Sequence, residues 1–242
     1  MNQNLMTQTL SLAEQAAPFL QDVETRLGDL RPMPWRKASV NPAKTAIFSV
    51  DVTNGFCYAG PLASPRVAGI VEPITHLLKQ GWALGVQKIV LIQDTHDAEA
   101  VEFAQFPPHC VRGSVEAETV DAFKHLPFYK QMTCLEKNSI DSAMNTGLNR
   151  WLNDHPEVDT FIVVGDCTDL CIYQLAMHLR LDANARQLKR RVIVPANCTQ
   201  TYDRPVEVAQ EQGGLPHDGD LMHAIFLYHM LLNGIEIPSK IS

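Results

Sequence analysis

The chain has 242 residues, 45% hydrophobic and 19% charged, with 20 basic against 27 acidic side chains for a net charge of -7. That balance, with no Lys/Arg-rich stripe, excludes a surface built for nucleic acid or anionic membrane, because phosphate binding needs clustered positive charge; nor is there an 18-residue apolar run to span a bilayer. The six cysteines have neither framework spacing nor C-x-x-C pairs, and residues 1–8 carry no basic or apolar leader pattern, so the expectation is a cytoplasmic protein with reduced thiols and a small-molecule partner.

Residues 1–43 read as a helical extension and residues 44–242 as one α/β domain. Leu12, Ala16, Phe19, Val23, Leu27 and Leu30 recur at steps of three and four, which predicts a helix of roughly five turns with one apolar face, and Pro32, Pro34 and Pro42 punctuate the connection to the domain. That face needs a cover, either from its own domain or from a second copy in a homo-oligomer, and the pattern leaves both open. From Lys44 the pattern alternates. Short β-branched apolar runs at 45–52, 88–93, 133–136, 161–164 and 191–195 predict strands, and periodic segments at 73–85, 141–153, from 171 and at 218–233 predict helices. Gly165 is expected to break the fourth strand. His217, Asp218, Asp220 and His223, near the last helix start, read as capping and solvation. Repeated β-α alternation with uniformly apolar strands implies a three-layer α/β/α Rossmann-like fold with a mainly parallel central sheet, plus the N-terminal helical extension.

In such sheets the site lies beyond the carboxyl ends of the strands. Asp51 closes the first strand, Lys137 follows the third, and Cys171 sits in the turn after the fourth, at a helix start. A helix N-terminus favours the thiolate and can lower a cysteine pKa from ~8.5 into the range of roughly 3.5 to 7.5. A carboxylate to take the thiol proton, an ammonium to stabilise an anion and a thiolate to attack a carbonyl are complementary. Asp94 and His96 alternate at the end of the second strand, and Glu102 and His109 follow in a long polar segment. Two imidazoles and two carboxylates make a mixed N/O set suited to a divalent Zn, Fe or Mn ion.

With these residues assembled, the chain resembles the isochorismatase-like cysteine hydrolases, and within them the nicotinamidases. Val50-Asp51-Val52-Thr53-Asn54-Gly55-Phe56-Cys57 is similar to the family's first-strand motif, Asp94-Thr95-His96 and Phe106-Pro107-Pro108-His109-Cys110 to its metal-binding segments, and Gly165-Asp166-Cys167-Thr168-Asp169-Leu170-Cys171-Ile172 to its G-x-x-T-D-x-C-V nucleophile motif. The resemblance implies a metal-dependent amidohydrolase acting on nicotinamide, with Asp51, Lys137 and Cys171 catalytic and Asp94, His96, Glu102 and His109 holding the metal. It further implies a cis peptide at Asp166–Cys167, an oxyanion hole from the N–H groups of Cys167 and Cys171, and Phe56 and Phe106 flanking the substrate ring. Asp166 and Cys167 stand where relatives more often carry small apolar residues, and Thr53 and Gly55 also depart from the pattern. Other small amides, such as carbamoyl or maleamate-like substrates, and a silent scaffold role are the alternatives.

Overall fold

The computed structural model describes residues 10–242. Strands β1 (Thr45–Val50), β2 (Lys88–Asp94), β3 (Thr133–Lys137), β4 (Thr160–Asp166) and β5 (Arg191–Ile193) form one sheet in the order β3-β2-β1-β4-β5, and the two-residue β6 (Thr199–Gln200) extends it beside the end of β4. Every named pairing is parallel. Helices cover both faces, as β1 and β4, buried along their whole length, require, while β3 at the sheet edge is largely exposed.

The alternation of side chains along each strand divides the interior into two cores. Ala46, Phe48 and Val50 of β1, with Val90 and Ile92 of β2 and Phe161 and Val163 of β4, pack toward helices α3 (Leu148–Asp154), α4 (Cys171–Ala185) and α5 (Gly219–Leu232). Ile47, Ile89, Leu91, Ile162 and Val164 pack on the other side, toward α2 (Val71–Ala83). Phe48 anchors the first core edge-on to Trp151, with ring centroids 5.2 Å apart, and tilted against Phe161 at 5.5 Å.

Residues 1–9 of the expected extension lie outside the described residues. Helix α1 (Leu12–Gly28) begins with a capping box between Ser11 and Glu14 and lies on α5 of its own chain. Phe19 meets Tyr228 edge-on at 5.3 Å, Val23 is buried, and Leu27 and Leu30 pack on the core. The predicted apolar face is thus covered at its C-terminal half, whereas Leu12 overhangs at 82% exposure. Beyond α1 the segment enters the domain: Trp35 and Ala38 belong to the second core, and Trp35 Nε1 donates to Gln80 Oε1 at 2.9 Å.

Two expectations need correction. The helix predicted over 141–153 starts only at Leu148, because the Asp141 carboxylate accepts the N–H groups of Ala143 and Met144 and holds residues 141–144 in a turn. Gly165 does not break the fourth strand but lies inside it, with φ at 120°, paired with Val50. A Cβ at Gly165 would sit 1.9 Å from the Val50 carbonyl oxygen, so the close approach of β1 and β4 beneath the site requires glycine.

Gly165→Ala is therefore expected to lower stability by about 2–6 kcal/mol, through both the clash and the left-handed backbone. Urea unfolding followed by circular dichroism checks this; a midpoint equal to wild type would contradict the packing described.

Candidate active site

The register levels the strand ends. Val50 pairs with both Ile92 and Gly165, and Asp94 pairs with Lys137, so residues at or just past these positions meet on one edge of the sheet. Asp51 lies one residue past β1 with φ at 56°, a left-handed conformation that costs a non-glycine residue about 1–3 kcal/mol and tends to persist at functional sites. Its Oδ1 accepts the Asp94 N–H at 2.7 Å, and its Oδ2 lies 2.8 Å from the Lys137 ammonium.

Lys137 is fully enclosed. Its Nζ donates to Asp94 Oδ1 and lies 3.4 Å from Cys171 Sγ. Burial disfavours its charge, but Asp51 and Asp94 together hold it well above the ordinary lysine value. Burial pushes Asp51 up to about 6, with the Asp94 charge adding to the rise and Lys137 opposing it, while Asp94, despite its own burial, is held below the usual carboxylate range by Lys137 and the two histidines. Sγ of Cys171 and carboxylate oxygens of Asp51 and Asp94 all lie within 4.8 Å of one another.

At Cys171 the pull of the helix N-terminus toward a thiolate is outweighed. Burial pushes the Cys171 thiol well above its ordinary value; Lys137 opposes the rise, and Asp51 and Asp94 reinforce it. A helix N-terminus contributes about 0.3–2 kcal/mol, less than the several kcal/mol that burying an anion costs. The resting group is the thiol, with a buried carboxylate beside it that can take its proton.

Asp94 is shared with a second cluster. One carboxylate oxygen faces Lys137, and Oδ2 lies 3.5 Å from His96 Nε2 and 3.8 Å from His109 Nε2. The histidine tautomers can be assigned from their partners. His96 Nδ1 faces Asn138 Oδ1 at 3.0 Å, an oxygen identified by the N–H that Asp97 donates to it, and His109 Nδ1 faces the Pro107 carbonyl at 2.8 Å. Both Nδ1 atoms must donate, so each ring in its neutral form presents a lone pair at Nε2, and these nitrogens are 3.1 Å apart. Two lone pairs and a carboxylate oxygen converging in a buried space call for a cation between them, and three N/O donors with fixed outer hydrogen bonds fit a divalent metal. Glu102 sits in the turn Val101–Ala104, in the wall of the same cavity, but is not one of the three groups whose donor atoms converge within 4.8 Å.

Both clusters open into one cavity of about 340 Å³. Phe56 lines it and meets His109 edge-on at 5.5 Å, and Phe106 does so at 6.4 Å. Asp166–Cys167 is a cis peptide. Beyond it Thr168 N donates to Gln200 O and Ile172 N to Cys167 O, while the N–H groups of Cys167 and Cys171 have no acceptor among the described residues. Two histidines expected to be solvated instead brace this turn. His217 Nε2 bonds Asp169 Oδ2 at 2.8 Å, with its ring stacked on Tyr202, and His223 Nδ1 bonds Thr168 Oγ1 at 2.7 Å. Asp218 does cap α5, through the N–H of Leu221. The sequence reading also missed Asn138, whose place directly after Lys137 at a strand end was the available signal, and the far wall of Tyr202, Arg204 and Val208, for which periodicity carried none.

A family model described as the isochorismatase domain matches residues 45–210. The chain belongs to the isochorismatase family. It is 29% identical over 210 residues to nicotinamidase 1 of Arabidopsis thaliana, covering 80% of this chain and 84% of that one. Among solved structures, the pyrazinamidase/nicotinamidase of Streptococcus mutans superposes with a TM-score of 0.61 at 22% identity, covering 80% of this chain and 99% of that one. The pyrazinamidase of Pyrococcus horikoshii, crystallised in complex with zinc, gives 0.63 at 20% identity, covering 80% and 98%. Within this isochorismatase-family chain, no described helix is long and apolar enough to cross a membrane.

Two outcomes are expected. Asn138→Ala, by releasing the His96 ring, should weaken binding of a divalent metal about 10- to 100-fold, measured by titrating metal into chelator-treated protein. Lys137→Met should cost about 3–5 kcal/mol in unfolding free energy, because two buried carboxylates lose their cation; denaturant melts check it.

Proposed function

We propose that this isochorismatase-family amidohydrolase hydrolyses nicotinamide to nicotinate and ammonia through a thioester on Cys171. One observation carries the reading: the carboxylate–ammonium–thiol set and the paired-histidine set share Asp94 and open into one cavity. That arrangement puts a nucleophile beside a site that can anchor a heteroaromatic ring, and the curated nicotinamidase relative supports the choice of amide.

Asp51 takes the proton of Cys171 as Sγ bonds to the carboxamide carbon, and the carbonyl electron pair moves onto oxygen. The N–H groups of Cys167 and Cys171 hold that oxyanion; losing one such donor in comparable acyl transfer costs ~2.7 to 4 kcal/mol. Lys137, pinned between Asp51 and Asp94, offsets the negative charge that would otherwise accumulate as Sγ loses its proton. The tetrahedral species collapses, the C–N bond breaks, and ammonia leaves with the proton carried by Asp51. Asp51 then deprotonates a water, whose oxygen attacks the thioester carbon; the C–S bond breaks, and Cys171 regains a proton from Asp51. Phe56 and Phe106 bound the ring space and exclude water from it. A divalent metal held by Asp94, His96 and His109 would supply a Lewis acid to which the pyridine nitrogen can bind.

Wild-type protein with metal should release ammonia from nicotinamide, and Cys171→Ala should lower kcat more than about a thousandfold while keeping the fold. Benzamide, the same amide without the ring nitrogen, should be a far poorer substrate. Turnover by Cys171→Ala would sink the thioester mechanism, and equal turnover of benzamide would sink the ring-nitrogen assignment.

A further inference from the structure

Asp166 is a buried acid that the mechanism above does not use. It ends β4, is 0% exposed, and contributes to the wall of the cavity beside Asp51 and Cys171. Among the described residues its Oδ1 has no hydrogen-bond partner, and its Oδ2 receives only the Cys167 thiol, at 3.7 Å. Among the described residues no cationic nitrogen lies within 4.0 Å of it, and the nearby ammonium of Lys137 is held by Asp51 and Asp94. A carboxyl group so placed costs stability: leaving a buried polar atom unsatisfied costs about 1–3 kcal/mol, and an apolar residue of similar shape would remove that cost. Unsatisfied polar atoms retained in a cavity wall are those a ligand can satisfy.

We propose that Asp166 is a specificity residue, whose carboxyl oxygen accepts an N–H of the substrate carboxamide and thereby selects primary amides over esters. This inference rests on the amide-hydrolase reading above. Asp166 directly precedes Cys167, whose N–H is one of the two unused donors of the turn. A carbonyl oxygen held at that N–H brings the NH₂ borne by the same carbon to the same end of the cavity. The acid presents there an acceptor that Cys171, a donor in its resting state, does not. Burial, with the Asp51 charge adding to it, also pushes the Asp166 carboxyl well above the usual carboxylate range, which favours the uncharged acid, whose carbonyl oxygen accepts without adding a second negative charge beside Asp51. An ester offers no N–H and leaves the acceptor unpaired, which penalises it as sites built to hydrogen-bond a substrate penalise analogues that lack the group.

The test compares nicotinamide with methyl nicotinate, which shares ring, carbonyl and nucleophilic attack but has no N–H, in the metal-loaded wild type and in Asp166→Val and Asp166→Asn. Asp166→Val should lower kcat/KM for nicotinamide about 10- to 100-fold, corresponding to one lost hydrogen bond to a buried group, and leave methyl nicotinate within about threefold of wild type. Asp166→Asn keeps a neutral carbonyl oxygen at the position and should restore most of the amide activity. The thermal midpoint of Asp166→Val should equal or exceed that of wild type, since an unsatisfied acid has been replaced by a methyl-bearing side chain. An unchanged amide-to-ester ratio in Asp166→Val overturns the assignment, as does an equal fall for both substrates, which would mean that the variant damages the oxyanion turn. Wild-type protein that hydrolyses the ester but neither nicotinamide nor other primary amides would overturn the amidohydrolase reading itself, and the Asp166 assignment with it. Wild-type amide turnover with an unchanged ratio would overturn the Asp166 assignment alone.

Discussion

A single buried ammonium organises this molecule. Lys137 is enclosed between Asp51 and Asp94 and reaches Cys171. Two carboxylates at this depth would otherwise repel each other and be driven toward protonation; with the lysine between them, Asp94 stays ionised and Asp51 is left as the weaker acid of the pair. The lysine therefore does more than hold three strand ends together. It separates two chemically similar residues into a carboxyl held above the usual range beside the thiol and one held below it beside the histidines.

Asp94 transmits this asymmetry. Its two oxygens look in different directions, one toward Lys137 and the other toward His96 and His109. Charge placed between the histidines is therefore felt at Lys137 through one carboxylate. The outer contacts to Asn138 and Pro107 matter for the same reason. They orient two imidazole nitrogens at each other, an arrangement that a cation between them would relieve.

The turn after β4 is braced from the far side. His217 on Asp169 and His223 on Thr168 tie the turn that carries Cys171 to α5 and its approach, so the last helix of the chain supports residues placed by the fourth strand. The helical extension lies on that same α5 through Phe19, which meets Tyr228. A continuous packed path thus leads from the N-terminal helix, through α5, to the turn that carries Cys171.

The parallel sheet was legible in the sequence because buried strands need unbroken β-branched runs, and Asp51, Asp94, Lys137 and Cys171 announced themselves by standing just past such runs. Periodicity also marked α1, though not how far its face would be covered. What the one-dimensional pattern could not hold were properties that depend on neighbours distant in the chain. The carboxyl of Asp141 ended a periodic segment early by capturing nearby N–H groups, and Gly165 stayed in its strand because β1 approaches too closely for any side chain there. His217 and His223 looked solvated until α5 packed against the turn. The protonation of Cys171 was also decided in three dimensions: a helix start favours the thiolate locally, but burial and two carboxylates outweigh it. By itself the sequence determined which groups stand at the strand ends. Only the packed structure decided how close they come, how much water is left, and hence which of them carry charge.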